Sequence, residues 1–252
     1  MNEVDLTITG TVDDENIVDS TQYDYVILTA EVGGVKNIFK NSINFYQNND
    51  KIRNYLQVPV ENSISRMEIA PPYKILRVWF DKQLSDNVPD IIETPDFGPV
   101  NLVVTYTKLE NDYIDWAKET GGCVIEFHCY TWDKFFDKNT TDDQVWPLIS
   151  PTVKKILPQI FDQNLNILAY HVNSFENFAS FKKGLAIYRP TVNSLGLKNV
   201  YLAGDWIRTD YVACLMERAV STGREAANEI LLHDHVRQVS LTVTNPKGPG
   251  IF

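Results

Sequence analysis

The sequence predicts an α/β chain with α+β character: a parallel strand and helix layer beside a separate antiparallel sheet. Three observations carry this. The run Tyr23 to Leu28, within YDYVILTA, is almost wholly apolar, as a strand buried on both faces of a parallel sheet is. The stretches around Ile75 to Phe80, Asn101 to Tyr106 and Cys123 to Tyr130 are strand-like and punctuated by turn formers at Pro71-Pro72, Asp86-Asn87 and Phe97-Gly98-Pro99. Near the C-terminal end, the strand-like run from Asn199 enters Gly204-Asp205, a short loop and a long helix.

Composition bounds the rest. The 252 residues are 44% hydrophobic and 22% charged, which excludes disordered and collagen-like chains and allows one large domain or two small ones. A net charge of -10, with no run of five like charges, excludes a nucleic-acid backbone binder. Three cysteines, Cys123, Cys129 and Cys214, suit reduced thiols and hence a cytoplasmic setting better than a disulfide framework. MNEVDLTITG has no signal-peptide pattern, and no window approaches the ~18 apolar residues of a membrane span. A soluble chain, with at most peripheral membrane contact, is therefore expected.

Taken in order, Val4 to Thr11 reads as a first strand, followed by the acidic turn Asp13-Asp14-Glu15 and the Tyr23 to Leu28 strand. Gly33-Gly34 reads as a break before a short amphipathic stretch with Val35, Ile38 and Phe39 on one side. Residues 41–61, rich in Asn and Gln, read as a loop or exposed helix. Asp142 to Ile160 is helical by spacing, with Val145, Leu148, Ile149, Val153, Ile156, Leu157 and Ile160 at three- and four-residue steps. Pro147 lies near its start, and Pro151 and Pro158 are expected to bend or split it. Leu165 to Val172 is another strand. The last helix is expected to bury Leu215, Met216, Ala219, Val220, Gly223, Ala226, Ala227, Ile230 and Leu231. Spatially, residues 1–45 and 185–240 are expected to form one layer, 46–184 the antiparallel-sheet domain, and 241–252 a tail.

A strand, a Gly-Asp turn and a helix N-terminus together suit an electron-rich group. Free N–H groups and the helix dipole favour negative charge by about 0.3–1 kcal/mol at exposed sites. Gly204 admits close approach, and Asp205 can accept hydrogen bonds from hydroxyls. The run VYLAGDWIRTDYVACLMERAVSTGREAANEIL at 200–231 resembles the C-terminal flavin motif of the FAD-dependent amine oxidase and carotenoid (phytoene) desaturase superfamily. Its features fall at Ala203, Gly204 and Asp205, at Met216, Glu217 and Ala219, at Ser221 and Gly223, and at Ala226 and Ala227. YDYVILTAEVGGVKNIF resembles a returning strand of the same FAD domain. ILRVWFDK, GGCVIEFHCY and Tyr188-Arg189-Pro190 look most like the isorenieratene-synthase-like branch.

This resemblance implies a partial FAD-binding Rossmann-like layer and an antiparallel-sheet substrate domain with helices. It implies a flavin-dependent oxidoreductase passing hydride from an apolar isoprenoid to FAD. Gly204, Asp205, Trp206, Met216, Glu217 and Ala219 would be the cofactor-binding residues; no catalytic residue is assigned. The family's Gly-x-Gly-x-x-Gly does not occur in the sequence, and Arg218 stands where a small residue is common. The chain is thus expected to match a C-terminal half and to need an N-terminal dinucleotide-binding half. The alternative is a non-catalytic subunit or ligand-binding remnant that pairs with a separate FAD-binding chain.

Other groups admit plainer readings. Glu126, His128 and Tyr130 share one strand face, where a Glu–His pair can transfer a proton or simply form a polar surface. Cys123 and Cys129 share the other face ~20 Å apart, too far to bond. His233-Asp234-His235 is a polar helix end rather than a metal site, and no metal is expected. Phe175, Phe178, Phe181, Trp132 and Phe135-Phe136 either line an apolar tunnel or fill a core.

Overall fold

The computed structural model describes residues 8–12, 15–19, 23–45, 48, 50–85, 87–211 and 214–242. In chain order the elements are β1 (Ile8–Val12), β2 (Glu15–Asp19), β3 (Val26–Leu28), α1 (Val32–Phe45), α2 (Asp50–Asn62), β4 (Tyr73–Phe80), β5 (Ile91–Glu93) and β6 (Leu102–Thr105). They continue with α3 (Asn111–Thr120), β7 (Cys123–Cys129), α4 (Asp142–Ile156), α5 (Gln159–Asp162), β8 (Ile167–Phe175), β9 (Val200–Leu202) and α6 (Leu215–His233). They fall into two compact units, one of Met1–Ala70 with Asn177–Phe252, the other of Pro71–Glu176. Residues 46–70 and 177–184, grouped by the sequence with the middle sheet, lie in the first unit, where α2 follows α1 and Ile64, Met67 and Ala179 join the core beside Val35.

The Pro71–Glu176 unit is a five-stranded antiparallel sheet in the order β5-β6-β7-β4-β8. Alternation decides its faces. Leu76, Val78 and Phe80 of β4 and Cys123, Ile125, Phe127 and Cys129 of β7 turn to one side, where Val145, Ile149 and Val153 of α4 close the core. Each such side chain contributes roughly 1.5–3 kcal/mol by leaving water. A capping box between Thr141 and Gln144 starts α4. Pro147 and Pro151 both lie inside it, and only Pro158 breaks the helical run, at the junction with α5. Trp132 is core, its indole N–H donating to the Asp137 carbonyl at 3.0 Å, so the tunnel reading does not hold for it.

In the other unit, β3 and β9 pair in parallel, Val26 with Val200 and Leu28 with Leu202. The pair is the expected parallel layer, but β3 is not buried on both faces: Ile27 is 38% exposed. β1 and β2 form an antiparallel hairpin; Val4 to Thr7, Asp13-Asp14 and the tail from 243 lie outside the described residues. Gly33-Gly34 does not break the chain but sits in the first turn of α1. Its role is steric: a Cβ on Gly33 would lie 2.7 Å from Asn177 atoms, whose carbonyl accepts the Gly33 N–H at 3.1 Å. Of residues 41–61, read as a loop or exposed helix, 41–45 end α1 and 50–61 belong to α2.

The expectation for α6 needs the largest correction. Only Thr222 and Ala226 are buried, while Leu215, Met216 and Val220 are exposed, Met216 at 83%. Ala226 packs with Ala203 and Tyr201 of the β9 strand region. Periodicity shows that a helix has an apolar stripe; what covers the stripe is a tertiary fact. The C-terminal end of α6 is held by Tyr25, whose hydroxyl meets His233 Nδ1 at 2.7 Å and the Asp234 carboxylate, which pushes the phenol up to about 12. That accounts for His233-Asp234 as a structural clasp. No group of metal-binding side chains occurs among the described residues. Among them, too, no helix is long and apolar enough to cross a membrane.

Candidate functional site

The chain leaves β9 through Ala203 and turns at Gly204, whose φ of +143° is open to few residues other than glycine. A Cβ there would fall 2.6 Å from Trp206 Nε1. Glycine at 204 is therefore required by the packing of Trp206, which is buried and donates its indole N–H to the Ala30 carbonyl at 3.1 Å. The Trp206 side chain is thus committed to the core. Thr222, fully buried on α6, clamps the turn: its hydroxyl accepts the Gly204 N–H at 3.0 Å and lies 3.0 Å from the Gly204 carbonyl.

Asp205 follows, half-buried at the end of the strand. Burial pushes its carboxyl above the ordinary carboxylate value, and the charges of Arg189 and Arg218 pull down without cancelling the rise. Arg189 is itself buried, donates from its guanidinium to the Asp205 carbonyl at 3.0 Å, and lies 4.5 Å from the Phe181 ring centroid. Arg218 stacks on the same ring at 5.9 Å. Burial lowers the Arg189 guanidinium, and Arg218 adds to the effect. The turn thus carries one poorly solvated carboxyl under two cations. Beside it, Arg189, Arg208, Ser63 and Tyr188 line a cavity of about 390 Å³. The Ser63 hydroxyl is buried with no hydrogen-bond partner among the described residues.

Helix α6 follows Cys214, whose side chain caps none of its first-turn N–H groups. Met216 and Glu217 sit exposed in that turn and Ala219 is half-buried one turn on. Gly204 and Asp205 are therefore positioned by β9, Met216, Glu217 and Ala219 by α6, and Thr222 joins the two. Sequence reasoning passed over Thr222 and gave Arg189 no role. The signal for Thr222 was its spacing of four from Ala226, the other buried residue on α6.

The strand β9, the Gly204-Asp205 turn and the start of α6 thus form one strand–turn–helix unit, tied together by Thr222. The chain belongs to the flavin containing amine oxidoreductase family, whose pattern it matches over residues 2–231. It is similar to the carotenoid phi-ring synthase of Chlorobaculum tepidum, 33% identical over 181 residues, covering 71% of this chain and 27% of the relative. It is also 26% identical over 222 residues to the carotenoid phi-ring synthase of Streptomyces griseus, covering 88% of this chain and 40% of that protein. The chain thus spans well under half the length of these relatives. Among solved structures, a protein named as a protoporphyrinogen oxidase from Exiguobacterium sp. 255-15 shares the fold with a TM-score of 0.53 at 12% identity, over 93% of this chain and 45% of that one.

Proposed function

We propose that this chain takes part in FAD-dependent oxidation of an apolar isoprenoid, with Gly204, Asp205 and the start of α6 holding the cofactor. The observation that carries the reading is Asp205: a half-buried carboxyl with raised proton affinity, at the family's Gly-Asp position, beside an uncapped helix N-terminus. Such a carboxyl is stabilised by hydroxyl donors, which a ribityl chain supplies. The N–H groups of α6, with Arg189 and Arg218 nearby, favour an anionic group such as a diphosphate or a reduced ring. Thr222 keeps the turn fixed while this happens. A bound flavin supplies the hydride acceptor.

The isoprenoid class rests on likeness to the carotenoid phi-ring synthases. The test is anaerobic mixing of the flavin-loaded protein with a carotenoid. Bleaching of the oxidised flavin band supports the reading; an unchanged spectrum with carotenoid present in excess rejects it.

A second reading is favoured by one observation: the exposed Leu215, Met216 and Val220 of α6. An apolar helix face of this kind suits a subunit that pairs with a separate FAD-binding chain. Flavin reduction only after such a chain is added supports that reading.

A further inference from the structure

The cavity of about 390 Å³ lined by Ser63, Tyr188, Arg189 and Arg208 carries more positive charge than the flavin reading uses. One wall comes from the end of α2 and the turn after it, the other from the chain between 187 and 208, and both belong to the unit of Met1–Ala70 with Asn177–Phe252. Ile64 on the first wall and Leu195 on the second share one core with Val35 and Leu202. Arg66 also lies over the Tyr188 ring, 5.3 Å from its centroid, so the two walls are held to each other.

The charge of this cavity is one-sided. The chain as a whole carries -10, yet no acidic residue lines the cavity while Arg189 and Arg208 both do. Neither of them, nor Arg66, has a carboxylate within ion-pair distance among the described residues. Arg189 is 5% exposed and gives one nitrogen to the Asp205 carbonyl, a neutral acceptor, while the Asp205 charge acts on it only at longer range. A guanidinium taken out of water without a counter-charge in contact is costly. Arg208 is exposed and anchored by its backbone N–H to the Pro190 carbonyl at 2.8 Å, but its guanidinium makes no hydrogen bond among the described residues. It also borders a second cavity with Asp210, Glu225 and Glu229, none of which pairs with it.

Ser63 supplies an independent observation. Its hydroxyl is buried and has no hydrogen-bond partner among the described residues, a state that native structures rarely leave unfilled. Asn62, the last residue of α2, likewise lines the cavity with its side-chain amide unbonded among the described residues. A guanidinium fork, a hydroxyl and an amide on two walls all offer N–H or O–H groups, which suits a ligand rich in acceptor oxygens. Oxygens directed several ways are a feature of a tetrahedral phosphoryl group rather than of a planar carboxylate. The volume leaves room for the small molecule that carries it.

We propose that this cavity binds the phosphoryl group of a small molecule, with Arg208 forking onto its oxygens, Ser63 donating its hydroxyl and Arg189 supplying the buried positive charge. The inference does not rest on the flavin reading, which uses the Gly204 turn and the start of α6. The same chemistry has two sources, the diphosphate of FAD itself and a separate phosphate-bearing molecule.

The test is isothermal titration calorimetry of the full chain with inorganic diphosphate at fixed ionic strength. Wild type should bind one diphosphate per chain. Arg208→Gln and Ser63→Ala should each weaken binding about 10-fold, the loss of one charge-assisted hydrogen bond. Arg237→Gln, which removes an exposed arginine outside the cavity, should leave it unchanged. Without diphosphate, Ser63→Ala should be no less stable to urea than wild type, because the hydroxyl has no partner in the chain to lose. No binding by wild type, binding that either cavity variant leaves unchanged, or an equal loss in Arg237→Gln overturns the site. Repeating the titration with FAD retained by the chain separates the sources: competition assigns the cavity to the cofactor's diphosphate, and unchanged binding assigns it to a separate molecule. A chain that binds diphosphate at this cavity but retains no flavin keeps the site and counts against the flavin reading alone.

Discussion

Strands β4 and β7 of the Pro71–Glu176 unit and helix α6 of the other differ in how their apolar pattern maps onto burial. In Pro71–Glu176 the alternation of β4 and β7 maps residue by residue onto a buried face, and the three-four spacing of α4 supplies its cover. In the other unit the β3–β9 pair and α6 have as strong an apolar pattern, yet Ile27, Leu215, Met216 and Val220 stay exposed. A strand paired on both sides, as β4 is, states its own inside and outside, whereas β8 at the sheet edge leaves Leu168 and Tyr170 exposed. A parallel strand or an amphipathic helix states only that something is to be covered.

The strongest way to break this comparison is at the turn between β9 and α6. Gly204→Val meets both a positive φ and the Trp206 indole, so it should cost about 2–6 kcal/mol and unfold its unit, measured by urea titration. A milder loss would mean that the turn relaxes freely. In the Pro71–Glu176 unit, Glu126→Gln should cost roughly 1.5–3 kcal/mol at neutral pH by weakening charged hydrogen bonds to Arg77 and His128. The folded Glu126 carboxyl titrates below its unfolded value of ~4.3, so its contribution is full above that value and lost as pH falls through the folded one. The gap between wild type and variant should therefore close in acid.

Thr222→Val keeps the shape of α6 but leaves the Gly204 N–H without its acceptor, and should cost about 1–3 kcal/mol. A thiol count sharpens the contrast without mutation: burial pushes Cys123 and Cys129 up to about 12, so the native chain at pH 8 should react at Cys214 alone, and at all three sites once unfolded. The smallest effect belongs to Met216→Ser, within about 0.5 kcal/mol, because the side chain is already in water.

Much of this was legible in the sequence. The middle strands, α4 and the strand–turn–helix around Gly204 were visible because their signals are local: alternation, spacing and a turn that needs glycine. The five-residue hairpin strands and α3 carry weaker patterns, and α1 was obscured by Gly33-Gly34, whose purpose is the approach of Asn177, 144 positions away. The site was half legible. Asp205 stood out by its place after Gly204, whereas Thr222 and Arg189 owe their roles to contacts that only the folded chain creates. Glu126, His128 and Tyr130 were visible as one strand face, but Arg77, which pairs with Glu126, lies on another strand.

The central claim is that Asp205 holds a flavin. The most direct measurement is the visible absorption spectrum of the chain after incubation with FAD and removal of unbound ligand, wild type against Asp205→Ala, with far-ultraviolet circular dichroism to show that both are folded. Wild type should retain the flavin band, and Asp205→Ala should lose most of it. Equally strong bands in the two folded proteins would contradict the account, and bands absent from both would move it to the second reading, in which flavin is held only with a separate FAD-binding chain.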